Sequence, residues 1–80
     1  PSEGVVFFDI RTLKQGPVEI TIFNHAGQEI RRIRAFSTEP GIMRASWDGK
    51  GEGGSDLPPG VYFVNFRVGR YYNMLKIIRN

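Results

Sequence analysis

The sequence contains no cysteine, and it has only one histidine and one tryptophan among its 80 residues. Without cysteine the chain can form neither a disulfide nor a thiolate metal site, which are the usual supports of very small domains. The absence does not identify a compartment, because secreted bacterial domains also lack cysteine. A chain of this size buries only about 60–65% of its unfolded surface, so its apolar core must pack efficiently.

Long apolar runs are also absent. No segment approaches the roughly 18 apolar residues of a membrane-spanning helix, and no basic-then-apolar leader opens the chain, so we expect no membrane insertion. The first residue is Pro1 rather than methionine, and the length suits one domain. The sequence therefore predicts a single domain, residues 1–80, excised from a larger protein.

Alanine is scarce, with three residues against eight isoleucines and six valines, which favours strands over helices. Apolar residues alternate with polar ones in several short segments, and glycine and proline fall between these segments. The spacing predicts an all-β fold, a sandwich or small barrel, with six strands and room for a seventh. Ile30 and Ile33 are three residues apart in one of these strands, so either a bulge shifts the register or one isoleucine faces outward.

Candidate catalytic and metal-binding residues are few. His25, the only histidine, follows Asn24 in a turn that Gly27 completes, and no serine occurs in a nucleophile motif beside it. Three carboxylates in the glycine-rich stretch 48–60 suggest calcium, but Lys50 occupies one of the ligand positions. A turn capped by Asp48 is favoured over a metal site. We expect no catalytic residue, metal or cofactor, and calcium or sugar binding by the loop stays open.

Basic and aromatic residues suggest two further binding functions. Arg31, Arg32 and Arg34 cluster in one segment, as in a single-stranded nucleic-acid platform. The net charge is only +3, however, and glutamates are interleaved with the arginines, so we expect cross-strand ion pairs and no nucleic-acid partner. Phe63 and Tyr71 could instead form a carbohydrate platform, although packing of both sheet faces is favoured over it.

Four segments together resemble a known family. They are GPVEITIFNHAGQEI (residues 16–30), WDGK (47–50), LPPGVYF (57–63) and the terminal KIIR (76–79). Their order and spacing are similar to the immunoglobulin-like domain of flagellar hook-capping proteins and to the type A C-terminal sorting domain of type IX secretion. The resemblance implies an immunoglobulin-like antiparallel β-sandwich of about seven strands. Its structural motif falls on Gly27, Trp47, Gly60 and Tyr62.

The resemblance also implies a function. It predicts a non-catalytic C-terminal domain of a larger secreted or cell-surface enzyme, such as a hydrolase, whose catalytic domain lies upstream. A secretion translocon or cell-surface protein would recognise the domain for export or attachment. The surface expected to be recognised is the last strand and the start of the long loop: Lys76, Ile77, Ile78, Arg79, Asp48 and Gly49. The alternatives are a carbohydrate-binding module of a glycoside hydrolase and a structural domain of a flagellar hook cap.

Overall fold

The computed structural model describes residues 5–79 and contains six strands and one short 3₁₀ turn in that range. The strands are β1 (Val6–Thr12), β2 (Gly16–Asn24), β3 (Glu29–Ser37), β4 (Gly41–Trp47), β5 (Gly60–Val68) and β6 (Tyr71–Arg79), and the 3₁₀ turn is Glu52–Gly54. All pairings are antiparallel, in one sheet of order β3-β2-β5-β6 and a second of order β1-β4. The predicted all-β sandwich is confirmed, with six strands beside the expected seven.

The core lies between the two sheets and consists of the alternating apolar residues. The strands β1, β2, β4 and β5 contribute their inward-facing side chains to it, which are every second residue, as period-two alternation requires. The buried members are Phe8, Ile10, Val18, Ile20, Ile22, Trp47, Tyr62, Val64 and Phe66. The ring of Phe8 in β1 meets that of Phe66 in β5 edge to face, with centroids 5.2 Å apart. This contact places β1 above β5.

The hairpin of β2 and β3 has the turn and the irregularity that the sequence predicts. The Asn24 carboxamide oxygen accepts hydrogen bonds of 3.0 Å from the backbone N–H groups of Ala26 and Gln28, and Gly27 has φ of +82°. Ile22 pairs with Arg31, whereas Phe23 pairs with Glu29, so Ile30 is the extra residue of a β-bulge. Of the two alternatives, the bulge is therefore correct, because Ile30 and Ile33 both pack against the core.

The bulge also determines which way the arginines of β3 point. Arg31 pairs with the buried Ile22 and lies on the core side of the sheet, at the end where Trp47 is buried. Arg32 and Arg34 pair with Thr21 and Glu19 on the opposite face. The three neighbouring arginines therefore do not form one basic cluster.

Candidate functional site: the loop after Trp47 and the last strand

Trp47 ends β4 and is fully buried, with 0% of its surface exposed. Its ring meets that of Tyr62 at 65° with centroids 5.8 Å apart, and its indole N–H donates a 2.9 Å hydrogen bond to the Lys50 carbonyl oxygen. The hydroxyl of Tyr62 donates to the Pro58 carbonyl oxygen. Both buried aromatic side chains thus donate a hydrogen bond to a backbone carbonyl oxygen of the 48–59 loop. These bonds satisfy the two buried donors and hold the loop in place.

Asp48 and Gly49 begin this loop with a tight turn. The Asp48 carboxylate accepts a 3.0 Å hydrogen bond from the Lys50 backbone N–H, and Gly49 has φ of +80°, which favours glycine. Further along, Lys50 and Asp56 form an antiparallel bridge and an ion pair. Their hydrogen bond raises the pKa of Lys50 and lowers that of Asp56. The favoured interpretation of Asp48 as a turn cap is consistent with this geometry.

Arg31, in strand β3, binds the same loop through its guanidinium group. Its guanidinium donates to the Asp48 carboxylate at 3.2 Å and to the carbonyl oxygens of Lys50 and Gly51 at 3.1 and 3.3 Å. Calcium would use oxygen atoms of this kind as ligands. In residues 5–79, no three His, Cys, Asp or Glu side chains lie close enough together to hold a metal ion. The cation that binds these oxygen atoms is the guanidinium group of Arg31.

Arg79 joins the end of β6 to the same loop. Its guanidinium donates a 2.9 Å hydrogen bond to the Gly49 carbonyl oxygen and lies over the Trp47 ring, 5.4 Å from the centroid. A cation over an indole face adds attraction beyond the hydrogen bond. Asp48 and Gly49 lie about 30 residues before Arg79 in the sequence. The structure brings these three residues of the expected recognition surface together.

The other residues of that expected surface are divided between two faces. Ile77 pairs with Tyr62 and packs against the core, whereas Lys76 pairs with Phe63 and Ile78 with Val61 on the outer face. Lys76 and Ile78 are both exposed. In the terminal segment 76–79, Ile77 and Arg79 thus contact the core and the loop. Lys76 and Ile78 face solvent on the other side of the sheet.

The motif glycines and the candidate catalytic residue lie in ordinary structural positions. Gly27 completes the β2–β3 turn, and Gly60 begins β5 with φ of +150°. His25 is exposed on the turn, and no hydrogen bond described for residues 5–79 joins it to a serine or a carboxylate. The described residues contain no helix long and apolar enough to cross a membrane.

The carbohydrate platform suggested from Phe63 and Tyr71 is not formed. Phe63 pairs with Phe23 and lies on the outer face, whereas Tyr71 pairs with Val68 and faces the core side of β6. Residues 63 and 71 lie on different strands, so whether they share a face depends on the register across the Gly69–Arg70 turn. The outer face instead carries ion pairs, Arg32–Glu29 at 2.8 Å and Arg34–Glu19 at 3.7 Å. The hydrogen bond to Glu29 raises the pKa of Arg32.

The comparisons with solved structures identify the class of fold. The structure is similar to the FlgD protein of P. aeruginosa, with a TM-score of 0.77 at 19% identity, over 95% of this chain and 61% of that one. It is also similar to FlgD from Xanthomonas campestris, with a TM-score of 0.76 at 17% identity, over 94% of this chain and 56% of that one. At such identities the likeness shows an immunoglobulin-like β-sandwich. The chain spans about three fifths of each of those proteins.

The family follows from the sequence. The model of the FlgD Ig-like domain matches residues 4–68, and the chain belongs to this family. No curated protein matches the chain. The resemblance to the immunoglobulin-like domain of hook-capping proteins is confirmed, whereas the comparisons give no support to the type IX sorting domain. The matched segment ends at Val68, so β6 lies outside it although it is hydrogen-bonded along the whole of β5.

Proposed function

We propose that this chain is a non-catalytic structural domain of a protein that caps the flagellar hook, outside the cell. The observation that carries the proposal is the match to the FlgD Ig-like domain over residues 4–68. In Xanthomonas campestris, the hook capping associated with FlgD is essential for flagellar assembly. A buried core and a loop held by hydrogen bonds from Arg31 and Arg79 suit a structural role in such an assembly. The partner implied is the flagellar hook.

A domain exchange tests this function. In Xanthomonas campestris, the domain of FlgD that corresponds to this chain is replaced by residues 1–80, and hooks are counted by electron microscopy. The control replaces it by an unrelated β-sandwich of similar length. We expect hooks with this chain and none with the control. A chimera that is exported and protease-resistant but forms no hooks would contradict the proposal, as would equal hook formation by the control.

A second candidate function is recognition for export or surface attachment of a larger secreted enzyme. It is favoured by the hydrogen bond from Arg79 to the Gly49 carbonyl oxygen, which joins the end of the last strand to the start of the 48–59 loop. The recognised residues would be Lys76, Ile77, Ile78, Arg79, Asp48 and Gly49, and the partner would be a component of a type IX translocon.

Export of a reporter enzyme fused upstream of the chain tests this second function in a bacterium that has such a translocon. Deleting residues 76–80 should leave the reporter in the periplasm. Because that deletion also shortens β6, the double variant Lys76→Glu and Ile78→Glu, at two exposed positions, serves as the fold-preserving test. Normal export of both forms would eliminate this candidate.

A further inference from the structure

The two sheets differ in width, and the difference leaves part of β6 uncovered. β6 is the fourth strand of its sheet, whereas the facing sheet has only two strands. Leu75 and Tyr71 pair with Val64 and Val68, so they are on the core side of the sheet. Val64 is 0% exposed, yet Leu75 is 44% and Tyr71 65% exposed. The core side of this half of β6 therefore carries two exposed apolar side chains, with the polar Asn73 between them, and no strand lies above it.

Tyr71, Asn73 and Leu75 form part of the floor of a groove of about 560 Å³. One wall is the second half of β1 with Leu13, the residue that follows it, and the floor is formed by Phe66 and Val68 of β5 with the first half of β6. The second half of β6 is covered, because Ile77 packs against the core and Arg79 lies over Trp47. The groove is thus about five residues long on each side, or roughly 17 Å at the rise of an extended strand.

The wall formed by β1 has free hydrogen-bonding groups. Within the described residues β1 pairs only with β4, so its other edge presents backbone N–H and C=O groups to the groove. A free strand edge beside an apolar floor is the arrangement that binds an extended peptide by strand addition. We propose that this groove binds one extended segment of a partner polypeptide, which pairs with β1 and covers Leu75 and Tyr71.

The outer face of β1 specifies the charge pattern of that segment. Asp9 and Arg11 are both exposed there, next to the exposed Phe7 and Leu13. Asp9 pairs with Arg44 at 3.3 Å, whereas Arg11 is in none of the ion pairs found within residues 5–79. An antiparallel partner would therefore have an acid opposite Arg11, a base opposite Asp9, and apolar residues at both flanks and on its inner face.

A second sandwich cannot occupy the groove by pairing its own β1 with this edge. Strand β1 lies above β5, and β6 is the strand next to β5 in the lower sheet. The position beside the free edge of β1 therefore lies above β6. A two-fold related copy with its β1 in that position would bring its own β5 beneath it, into the space of β6. The groove therefore admits a single strand, which must come from a partner segment that has no second sheet packed beneath it. This conclusion does not depend on the proposed function.

The sequence of β1 itself supplies a probe. In an antiparallel register centred on Ile10, a peptide VFFDIRTL, with the sequence of residues 6–13, places its Arg opposite Asp9 and its Asp opposite Arg11. The control peptide VFFRIDTL has the same composition and places like charges opposite each other. Both are titrated into the isotope-labelled chain, and amide shifts and hydrogen exchange are measured by NMR. We expect VFFDIRTL to bind about fivefold more tightly, with shifts and new protection at Asp9–Leu13.

Two variants of β6 locate the site. Leu75→Arg introduces a charge on the groove floor and should weaken binding about tenfold or more, because the charge must be covered by the peptide. Ile78→Arg, on the outer face of the same strand, should leave binding unchanged. Both positions are exposed, and circular dichroism verifies the fold. Protection confined to β6, absence of binding by VFFDIRTL, equal affinity of the two peptides, or indifference to Leu75→Arg would each overturn the proposal.

Discussion

At the Trp47 end of the sandwich, the chain covers its own core, and at the opposite end it does not. The 48–59 loop crosses the first end and is fastened there by Arg31, Arg79 and the indole N–H of Trp47. At the other end, Leu75 and Tyr71 face the core side of the sheet but remain exposed. The same strand, β6, spans both ends. The comparison separates residues that stabilise this domain from residues available to a partner.

Replacing Trp47 with alanine should break the covered end most severely. The side chain is fully buried, contacts Tyr62 and Arg79, and anchors the loop through Lys50. A large aromatic residue truncated in a core costs about 3–5 kcal/mol, which is a large part of the stability of a domain this small. Urea unfolding followed by circular dichroism measures the loss. A loss below about 1 kcal/mol would show that the loop does not depend on this residue.

Arg31→Ala should have the next largest effect. It removes three hydrogen bonds to the loop and leaves the carbonyl oxygens of Lys50 and Gly51 without their charged donor, at a cost of about 1–2 kcal/mol. The matched control is Arg34→Ala in the same strand, whose pair with Glu19 is exposed and should change stability by less than about 0.5 kcal/mol. Equal losses for the two variants would contradict the role assigned to Arg31.

Serine substitutions in β6 compare the two ends within one strand. Ile77→Ser removes apolar contacts with the core and should destabilise the domain by about 1 kcal/mol, whereas Leu75→Ser, at a 44% exposed position, should cost less than about 0.5 kcal/mol. Chemical denaturation measures both. The uncovered groove would be refuted if Leu75→Ser were the more damaging change.

The smallest expected effect is electrostatic and concerns the ion pair of Lys50 and Asp56 on the loop surface. Because the pKa of Asp56 is lowered, the pair stabilises the fold at neutral pH, and this contribution is lost as pH falls through the lowered pKa, below the usual aspartate range. Because the pKa of Lys50 is raised, its contribution is lost only as pH rises beyond the usual lysine range. In an NMR titration, Lys50→Met should raise the pKa of Asp56. An unchanged pKa would rule out the pair.

Local patterns in the sequence predicted the strands well. Alternation of apolar residues placed the core side chains of β1, β2, β4 and β5, because one buried face imposes a period of two. The turn at Asn24 and Gly27 followed from residue chemistry, and the spacing of Ile30 and Ile33 indicated an irregularity, either a bulge or an outward-facing isoleucine, of which the bulge is present. Each of these features depends on neighbours within a few residues.

Features that depend on distant neighbours were not predicted. Arg31 contacts residues that are 17 to 20 positions away in the sequence, and Arg79 contacts Gly49, which is 30 positions away, so alternation within a strand reveals neither contact. The bulge was the available indication for Arg31, since it turns that side chain to the core side. Whether Phe63 and Tyr71 share a face depends on cross-strand register, which the alternation within each strand does not specify. The groove follows from the number of strands in each sheet, which alternation does not encode.

Amide hydrogen exchange in the free chain tests the contrast between the two ends most directly. We predict slow exchange of the Trp47 indole N–H and of the Gly51 amide, which is bonded to the Ser55 carbonyl oxygen at 2.9 Å. From Asp9 to Thr12, alternate amides should exchange within about tenfold of the unfolded rate, while their neighbours are protected by β4. Uniform protection along β1, or fast exchange at Trp47 and Gly51, would contradict this contrast.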